Sequence, residues 1–452
     1  MVEQTAHIRS VRGSNPFATI HCLPFLVYRS GFFYYSVAMD GIKKDIQYYK
    51  FSAYGFLKNL RFFDPFLILF FRESGMSYFQ IGVLFSIREI STNLFEIPTG
   101  MLADSFGRRR AMMAAFGAYI ISFIIFSFFP VFGVYAVAMI VFAVGEAFRS
   151  GTHKAMILDY LKRNDMEKMK VHYYGHTRSW SQRGSALSAL LAALLVFFTS
   201  NYKSIFLFTI IPYVAGLLLI KSYPKYLDFS EDHEDVGRIW RRTRQAFGNT
   251  LREFKGMLAY RKLRHILLNS SLYDGVFKAS KDFIQPMMKN LALSLPIFLA
   301  LADQKRVALV VGILYFVLYI FTSIVSQFSG RFSDLFNSPQ SGLNITYLVS
   351  AVVLVAVGFG MRYNAFVPGV IIFTAFYVIY NVRRPMTVGY VSENIKGTVM
   401  ATGLSIESQL KTLIVTVIAP VFGAVADSIG LGWAFCMLAL LLLVTYPAVR
   451  MR

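Results

Sequence analysis

Twelve separate stretches of about twenty mostly apolar residues constrain the fold of this chain more than any other feature. A helix needs about 20 such residues to cross the hydrocarbon core of a bilayer, where every backbone polar group must be paired within the segment. Hydrophobic residues make up 56% of the 452 residues and charged residues 16%, and a soluble globule could not hide that much apolar surface. The sequence therefore predicts an all-α membrane protein and excludes a disordered chain. The predicted spans are residues 51–71, 77–98, 111–130, 133–155, 175–198, 204–222, 265–289, 307–329, 344–361, 366–386, 400–422 and 431–449.

One long polar connection divides the spans into six and six. It covers residues 223–264 and includes the basic run Trp240-Arg241-Arg242-Thr243-Arg244. We therefore expect four regions. They are an N-terminal extension over 1–50, an N-terminal six-helix bundle over 51–222, a cytoplasmic central loop over 223–264 and a C-terminal six-helix bundle over 265–452.

The extension leaves three alternatives open. Phe17–Met39 is apolar and aromatic but contains His21 and Arg29. It is compatible with an interfacial helix, with a thirteenth span that would place the N-terminus outside, or with sequence upstream of a true start at Met39.

Lysine and arginine are distributed very unequally between the two sides of the predicted topology. The connections on the side of the N-terminus hold 27 of them, whereas those on the other side hold 5. The positive-inside rule then places both termini and the central loop in the cytoplasm, and we expect an integral protein of the plasma (inner) membrane. The formal charge of +21 follows from this topology, so it does not indicate a nucleic-acid partner.

A motif follows the second span, in the short connection 99–110. It reads Gly-Met-Leu-Ala-Asp-Ser-Phe-Gly-Arg-Arg-Arg from position 100 to position 110. Glycines permit a tight turn and close helix approach, and Asp104 is an anion that can cap a facing helix N-terminus. The motif resembles the signature G-x-L-A-D-R-x-G-R-[RK] of the major facilitator superfamily, with Ser105 in place of the usual arginine. The resemblance implies two six-helix bundles that rock about a central site, and it implies gating roles that we assign to Gly100, Asp104, Gly107, Arg108, Arg109 and Arg149.

Two partial copies of the motif occur later in the chain. Gly330-Arg331-Phe332-Ser333-Asp334 follows span eight, at the corresponding position of the second half. Residues 423–430 repeat the pattern G-x-x-A-D-S-x-G after span eleven, on the opposite side of the membrane. Such copies are expected from a duplicated six-span unit that itself contains inverted repeats.

Ionisable residues inside the spans are expensive and indicate function. In span seven, five polar residues form one helical stripe that must face the bundle or a water-filled cavity, with Pro286 interrupting the helix after them. The stripe consists of Asp274, Lys278, Lys281, Asp282 and Gln285. Arg383 and Arg384 lie near a predicted span end, where we expect them to snorkel toward the interface.

Basic residues outnumber acidic ones inside the spans by 14 to 7, which favours an anionic substrate. Arginine binds carboxylate or phosphate through a bidentate fork. We predict substrate-binding roles for Arg61, Asp64, Arg178, Arg183, Asp274, Lys278 and Gln285. A carboxylate beside a cavity cation can take up and release a proton, and we predict this coupling role for Asp64, Asp274 and Asp282. Pairing of Glu146 with Arg149 and of Glu407 with Lys411 is the structural alternative for those residues.

The predicted function is secondary active transport of a small, anionic solute by alternating access, coupled to protons. Alternatives are a drug or metabolite efflux antiporter of the same superfamily and a non-transporting membrane sensor. The sequence contains no P-loop, no H-E-x-x-H and no G-x-S-x-G motif, so an ATP-driven pump or a hydrolase is unsupported. We expect no enzymatic activity, no cofactor and no metal site. The expected partners of a monomeric protein are the lipid bilayer and a small-molecule solute.

Overall fold

The computed structural model describes residues 44–228, 248, 256, 260–327, 332, 335–336, 338–394 and 400–451. Every regular element in these ranges is a helix, which confirms the predicted class. Phe17–Met39 and most of the central loop lie outside the described residues, as do Gly330, Arg331, Ser333 and Asp334 of the second-half copy. The three alternatives for the N-terminal extension therefore stay open.

Fifteen α-helices are described, eight before the central loop and seven after it. We call residues 44–228 the N-terminal half and residues 260–451 the C-terminal half. The helices are α1 Ile46–Lys58, α2 Leu67–Glu73, α3 Tyr78–Phe106, α4 Arg108–Phe128, α5 Phe132–Arg149, α6 Thr152–Arg163, α7 Lys170–Thr199, α8 Ser204–Lys221, α9 Arg261–Ser280, α10 Ile284–Ser294, α11 Asp303–Gln327, α12 Pro339–Arg362, α13 Phe366–Asn394, α14 Met400–Ser428 and α15 Leu431–Val449.

By length and composition, nine helical segments of the described chain are apolar enough to cross a membrane. One of them, Phe132–Arg163, combines α5 and α6, which meet at Gly151. The three predicted spans that do not meet this criterion are the first, the second and the seventh. Helix α3, the second, carries Arg88, Glu89 and Glu96. The count of twelve spans remains a prediction.

Spans one and seven are each broken in the same way. A 3₁₀ turn at Asp64–Phe66 precedes α2, and a 3₁₀ turn at Lys281–Phe283 separates α9 from α10. Pro65 lies in the first turn and Pro286 near the start of α10. A proline fits at the start of a helix because the first N–H groups lack intrahelical partners there. An interruption of span seven was predicted at Pro286, but it lies at Lys281–Phe283, before this proline and within the polar stripe. The interruption of span one was not predicted.

The motif at 100–110 is helical rather than a loop. Gly100–Phe106 forms the last two turns of α3, and Gly107 alone links α3 to α4. The copy at 423–430 has the same form, since α14 runs to Ser428 and Gly430 precedes α15. Gly107 has φ +104° and Gly430 has φ +101°, a backbone conformation that side-chain-bearing residues rarely adopt.

We expect Gly430→Ala to lower the free energy of unfolding by more than about 1 kcal/mol, because alanine is strained at positive φ. Gly107→Ala should cost more, since its Cβ would also lie 2.4 Å from Asp228 Oδ1. Gly117→Ala is the matched control, because Gly117 lies inside α4 with open space around a Cβ. Thermal unfolding in detergent measures all three, and a Gly430→Ala protein as stable as Gly117→Ala would contradict the argument.

The halves pack through glycines on two antiparallel helix pairs, α3 with α14 and α7 with α11. A Cβ on Gly82 would lie 2.2 Å from Ala419 O, and one on Gly423 would lie 2.2 Å from Tyr78 O. A Cβ on Gly312 would likewise lie 2.2 Å from the Cβ of Ala193. Small residues let helix backbones approach closely in membranes, so substitutions here would push the halves apart.

The helical assembly has two ends, which we call the basic face and the opposite face, and different contacts mark each of them. At the basic face, Tyr160 OH donates to Asp45 and Arg109 Nη1 donates to Tyr223 O. At the opposite face, Ser74 Oγ lies 3.2 Å from Tyr135 OH and Gln304 Nε2 donates to Glu73 Oε1.

Candidate functional site: a basic cavity and a charged interface between the halves

A cavity of about 410 Å³ lies toward the basic face of the N-terminal half. Helices α1, α6 and α7 build it, with Lys58 and Arg178 as its cations. Asn59 and Gln182 add amide groups, and the His153 ring stacks on Tyr54 with centroids 3.7 Å apart. Among the described residues of its lining there is no carboxylate. The cavity therefore has the electrostatic character of an anion site.

Arg183 lies outside this lining. Its guanidinium is exposed and stands 4.9 Å from the Trp180 ring centroid. Of the two span-five arginines predicted to bind substrate, Arg178 is therefore the one that the cavity includes.

A partly buried ionic cluster lies deeper in the N-terminal half. Glu146 accepts hydrogen bonds from Arg61 Nη2 at 2.6 Å, from Arg149 Nη2 at 2.5 Å and from Tyr119 OH at 2.8 Å. Two guanidinium groups thus share one carboxylate, which leaves a net positive charge. Tyr119 OH also accepts from Arg149 Nε at 3.0 Å. The predicted Glu146–Arg149 pair is confirmed, and Arg61 joins it.

Asp64 lies between this cluster and the C-terminal half. It lines a narrow cleft, too small to hold a water molecule, with Arg61, Ser185, Ser188 and Tyr319. The backbone carbonyl of Asp64 accepts from Gln285 Nε2 at 2.8 Å, and Gln285 Oε1 accepts from Ile68 N at 2.7 Å. The predicted substrate ligand Gln285 is therefore engaged by the backbone of the other half.

The polar stripe of span seven faces the interior, as predicted. Lys278 Nζ donates across the halves to Glu89 Oε2 at 2.5 Å, and Arg88 Nη2 donates to the other oxygen of Glu89 at 3.2 Å. Asp282 pairs with its neighbour Lys281 at 2.6 Å. Two members of the stripe thus contact the N-terminal half, Lys278 through α3 and Gln285 through the broken span one.

Arg384 joins two carboxylates within the C-terminal half. Its Nη1 donates to Asp274 Oδ2 at 2.6 Å and to Glu407 Oε1 at 2.7 Å. Ser270 Oγ donates to the same Glu407 oxygen at 2.6 Å. The side chains of Asp274 and Glu407 are 4% and 3% exposed. Two desolvated carboxylates thus share one guanidinium.

The snorkelling predicted for Arg383 is wrong. Its side chain is 1% exposed and donates to Thr346 Oγ1 at 2.7 Å, to Asn269 Oδ1 and to Leu343 O. Its guanidinium carbon lies 4.3 Å from the Tyr273 ring centroid. Helix α13 extends to Asn394, beyond the predicted span end at 386. This extension places Arg383 and Arg384 well inside the helix, which a count of apolar residues could not reveal.

The gating residues predicted at the end of α3 contact the N-terminal half and the start of the central loop. Arg108 pairs with Asp159, and the Arg109 backbone N–H donates to Asp228 Oδ1 at 2.9 Å. Asp104 is exposed and lies 3.4 Å from Arg108. Open space surrounds Gly100.

Among the described residues, the copy of the motif in α14 contacts the other half through its aspartate, whereas Asp104 of the original contacts Arg108. Asp427 accepts from Tyr78 N at 2.9 Å and from Phe79 N at 2.7 Å, which caps the first turn of α3 across the halves. Ser77 and Gln80 satisfy the neighbouring N–H groups through a capping box. Gly423 provides the close approach one helical turn before Asp427. The helix-capping chemistry predicted for Asp104 is thus observed at Asp427.

We expect Asp427→Asn to speed amide exchange of Tyr78 and Phe79 by about 3- to 30-fold, the loss typical of a weakened N-cap. Asp104→Asn is the matched control, because its carboxylate caps no N–H among the described hydrogen bonds. Hydrogen exchange read by mass spectrometry over peptides spanning the start of α3 checks this. Equal exchange in both variants would contradict the role of Asp427.

Apolar helices of membrane length, together with ionic groups buried between them, define an integral membrane protein with a polar interior. The chain also matches known proteins. Residues 26–408 match the Major Facilitator Superfamily. The uncharacterized MFS-type transporter YxaM of Bacillus subtilis (strain 168) is 20% identical over 403 residues, covering 88% of this chain and 93% of YxaM.

Solved structures share the fold. The nucleoside transporter NupG superposes with a TM-score of 0.67 at 12% identity, over 90% of this chain and 98% of NupG. A peptide transporter POT in complex with sulfate gives 0.64 at 11% identity, over 89% and 94%. The chain belongs to the Major Facilitator Superfamily, as the motif at 100–110 predicted, and it is a membrane transporter of that family.

Proposed function

We propose that this protein is a secondary transporter that moves a small anionic solute by alternating access. The observation that carries the proposal is the cavity between α1, α6 and α7, whose charged lining consists of Lys58 and Arg178 among the described residues. A solute carboxylate or phosphate would neutralise these cations. A guanidinium can hold such a group through two parallel hydrogen bonds.

The volume of about 410 Å³ lies within the range of small-molecule sites. Ser181, Gln182 and Asn59 offer hydrogen-bonding groups beside the cations, and Tyr54 and His153 offer an aromatic wall. A solute with one anionic end and a compact polar or aromatic body matches this lining.

The cavity and the contacts between the halves lie at different heights along the axis from the basic face to the opposite face. Asp427 caps α3 at the opposite face, Ser86 Oγ donates to Thr416 O, and Lys278 pairs with Glu89. The cavity lies toward the basic face. With the positive-inside orientation, the basic face is cytoplasmic in the plasma membrane, both termini are cytoplasmic, and this conformation faces inward.

Proton coupling is the second part of the proposal, with Asp64, Asp274 and Asp282 as candidates. Asp274 has the strongest support, because it shares the guanidinium of Arg384 with Glu407, and both carboxylates are almost fully buried. Two desolvated carboxylates that share one guanidinium interact strongly, and a proton on one of them relieves their repulsion. Asp64 lies beside Arg61 in the narrow cleft. The movement of the halves during alternating access would therefore change the surroundings of its carboxylate.

A thermal-shift screen tests the anionic character of the solute. The purified protein in detergent is exposed to anionic, neutral and cationic metabolites of similar size. We expect stabilisation by an anion, and loss of that shift in Arg178→Ala. A shift by cationic compounds alone would contradict the proposal and favour drug efflux. Uptake of the identified anion into proteoliposomes, with and without an inward proton gradient, then tests coupling.

A further inference from the structure

The side-chain amide of Gln285 takes the place of a backbone hydrogen bond in the other half. In an unbroken α-helix, Ile68 N–H would donate to the carbonyl of Asp64, four residues earlier. Here Ile68 N donates to Gln285 Oε1 at 2.7 Å, and Gln285 Nε2 donates to Asp64 O at 2.8 Å. Tyr315 OH accepts a further bond from Nε2 at 3.3 Å. The amide is therefore inserted into the hydrogen-bond ladder of span one.

This insertion occurs at the break of span one and in a dry environment. Gln285 is 0% exposed, and so is Ile68. Side chains that insert between N–H(i) and C=O(i−4) are a recognised cause of helix kinks. The break leaves the Ile68 N–H without its acceptor four residues earlier, which would be costly in a buried site, and Gln285 Oε1 supplies an acceptor. Gln285 Nε2 adds a second bond to the Asp64 carbonyl, at the start of the 3₁₀ turn.

We propose that Gln285 is a positioning residue that couples the shape of span one to the closure of the opposite face. The proposal rests on the alternating access proposed above. When the halves separate near the break of span one, the Gln285 amide withdraws from that helix. The Ile68 N–H then donates to the Asp64 carbonyl within the helix. Residues 63–68 then straighten, and Asp64 moves relative to Arg61 in the cleft that the two share.

A consequence concerns the charged groups of the N-terminal half. Asp64 lies one residue before Pro65, at the start of the 3₁₀ turn that Gln285 stabilises. Arg61 lies on the same segment and pairs with Glu146. Movement of this segment would therefore alter the Arg61–Glu146–Arg149 cluster. Closure of the opposite face and rearrangement of the cluster would therefore occur together.

Thiol accessibility tests the coupling without any solute. The reporter is Ser86→Cys, in a background with Cys22→Ser and Cys436→Ser. Ser86 is 5% exposed and donates to Thr416 O across the halves. A membrane-impermeant maleimide is applied from the opposite face of oriented proteoliposomes. We expect Gln285→Met to raise the labelling rate at position 86 by about tenfold, as expected when buried hydrogen bonds are lost.

A second reporter separates coupling from loss of structure. Ser181 lines the basic cavity, and Ser181→Cys is labelled from the basic face. In Gln285→Met its labelling should fall as that at position 86 rises, because one face closes when the other opens. A merely destabilised protein would show both rates rising, and that outcome would overturn the proposal.

Two further variants complete the test. Gln304→Met is the matched control, since Gln304 also bonds across the halves, to Glu73 at 2.9 Å, but at an exposed position. If Gln285→Met folds poorly, Gln285→Asn serves instead, because it keeps an uncharged amide at this buried position but is one methylene too short to bridge Ile68 N–H and Asp64 C=O together. Labelling of both Gln285 variants within about twofold of Gln304→Met, which is far below the cost of stranding a buried group, would overturn the inference. Because no solute is used, the result is independent of the Arg178 experiment.

Discussion

Arg178→Ala should weaken binding of the anionic solute by about 10- to 100-fold, the loss expected for one charge-assisted hydrogen-bonding group. Arg178 and Lys58 are the basic residues of the cavity in the described lining, and of the two only arginine offers a guanidinium that stays charged when it is desolvated. Transport in proteoliposomes should fall in proportion at low solute concentration. Arg178→Lys should keep part of the affinity, because lysine retains the charge but lacks the bidentate fork.

The control for this experiment is Arg183→Ala. Arg183 lies five residues further along α7, outside the cavity lining, with its guanidinium over the Trp180 ring. Its loss should change binding by less than about threefold, as is typical of a screened surface charge. Isothermal titration with the anion found by the thermal-shift screen measures both variants. Equal losses in the two would show that general charge, rather than the cavity, attracts the solute.

Arg384→Met should destabilise the C-terminal half by about 1–3 kcal/mol, less than the loss typical of a fully buried ion pair, because the Arg384 side chain is 35% exposed while its two acids are buried. It leaves Asp274 and Glu407 desolvated and close together, with no guanidinium between them. Neutralising one acid should restore part of the loss. The double variant Arg384→Met/Asp274→Asn is therefore expected to be more stable than Arg384→Met alone.

A double-mutant cycle measures this coupling. Arg384→Met, Asp274→Asn and their combination are compared by denaturant unfolding in detergent. Arg110→Met is the control, because Arg110 is exposed at the basic face and its loss should change stability by at most about 0.5 kcal/mol. An Arg384→Met protein as stable as this control would contradict the ionic role.

Much of the fold could be predicted because membrane-spanning helices are specified locally. Length and apolar composition located the nine helical segments that meet the spanning criterion, and the motif at 100–110 identified the family. The stripe of span seven was predicted to face the interior because its residues share one helical face, and Lys278 and Gln285 confirm this.

The errors have identifiable physical causes. A span of apolar residues does not show where a helix ends, so the motif was taken for a loop and Arg383 for an interfacial residue. The helical turns at Gly100–Phe106 and the extension of α13 to Asn394 correct both. Sequence spacing paired Glu407 with Lys411, four residues away, whereas the structure gives Glu407 a hydrogen bond from Arg384 on another helix.

The amino-acid sequence by itself determined the class of protein, the approximate helix positions and the residues that carry charge into the membrane. These properties depend on stretches of about twenty residues and on short motifs. Only the tertiary structure decided which charges meet, that Arg178 lines the cavity while Arg183 does not, and that Gln285 completes the hydrogen bonding of span one. A buried polar group must find a partner wherever packing brings one within reach. For Ile68 and Gln285 that partner is more than 200 residues away along the chain.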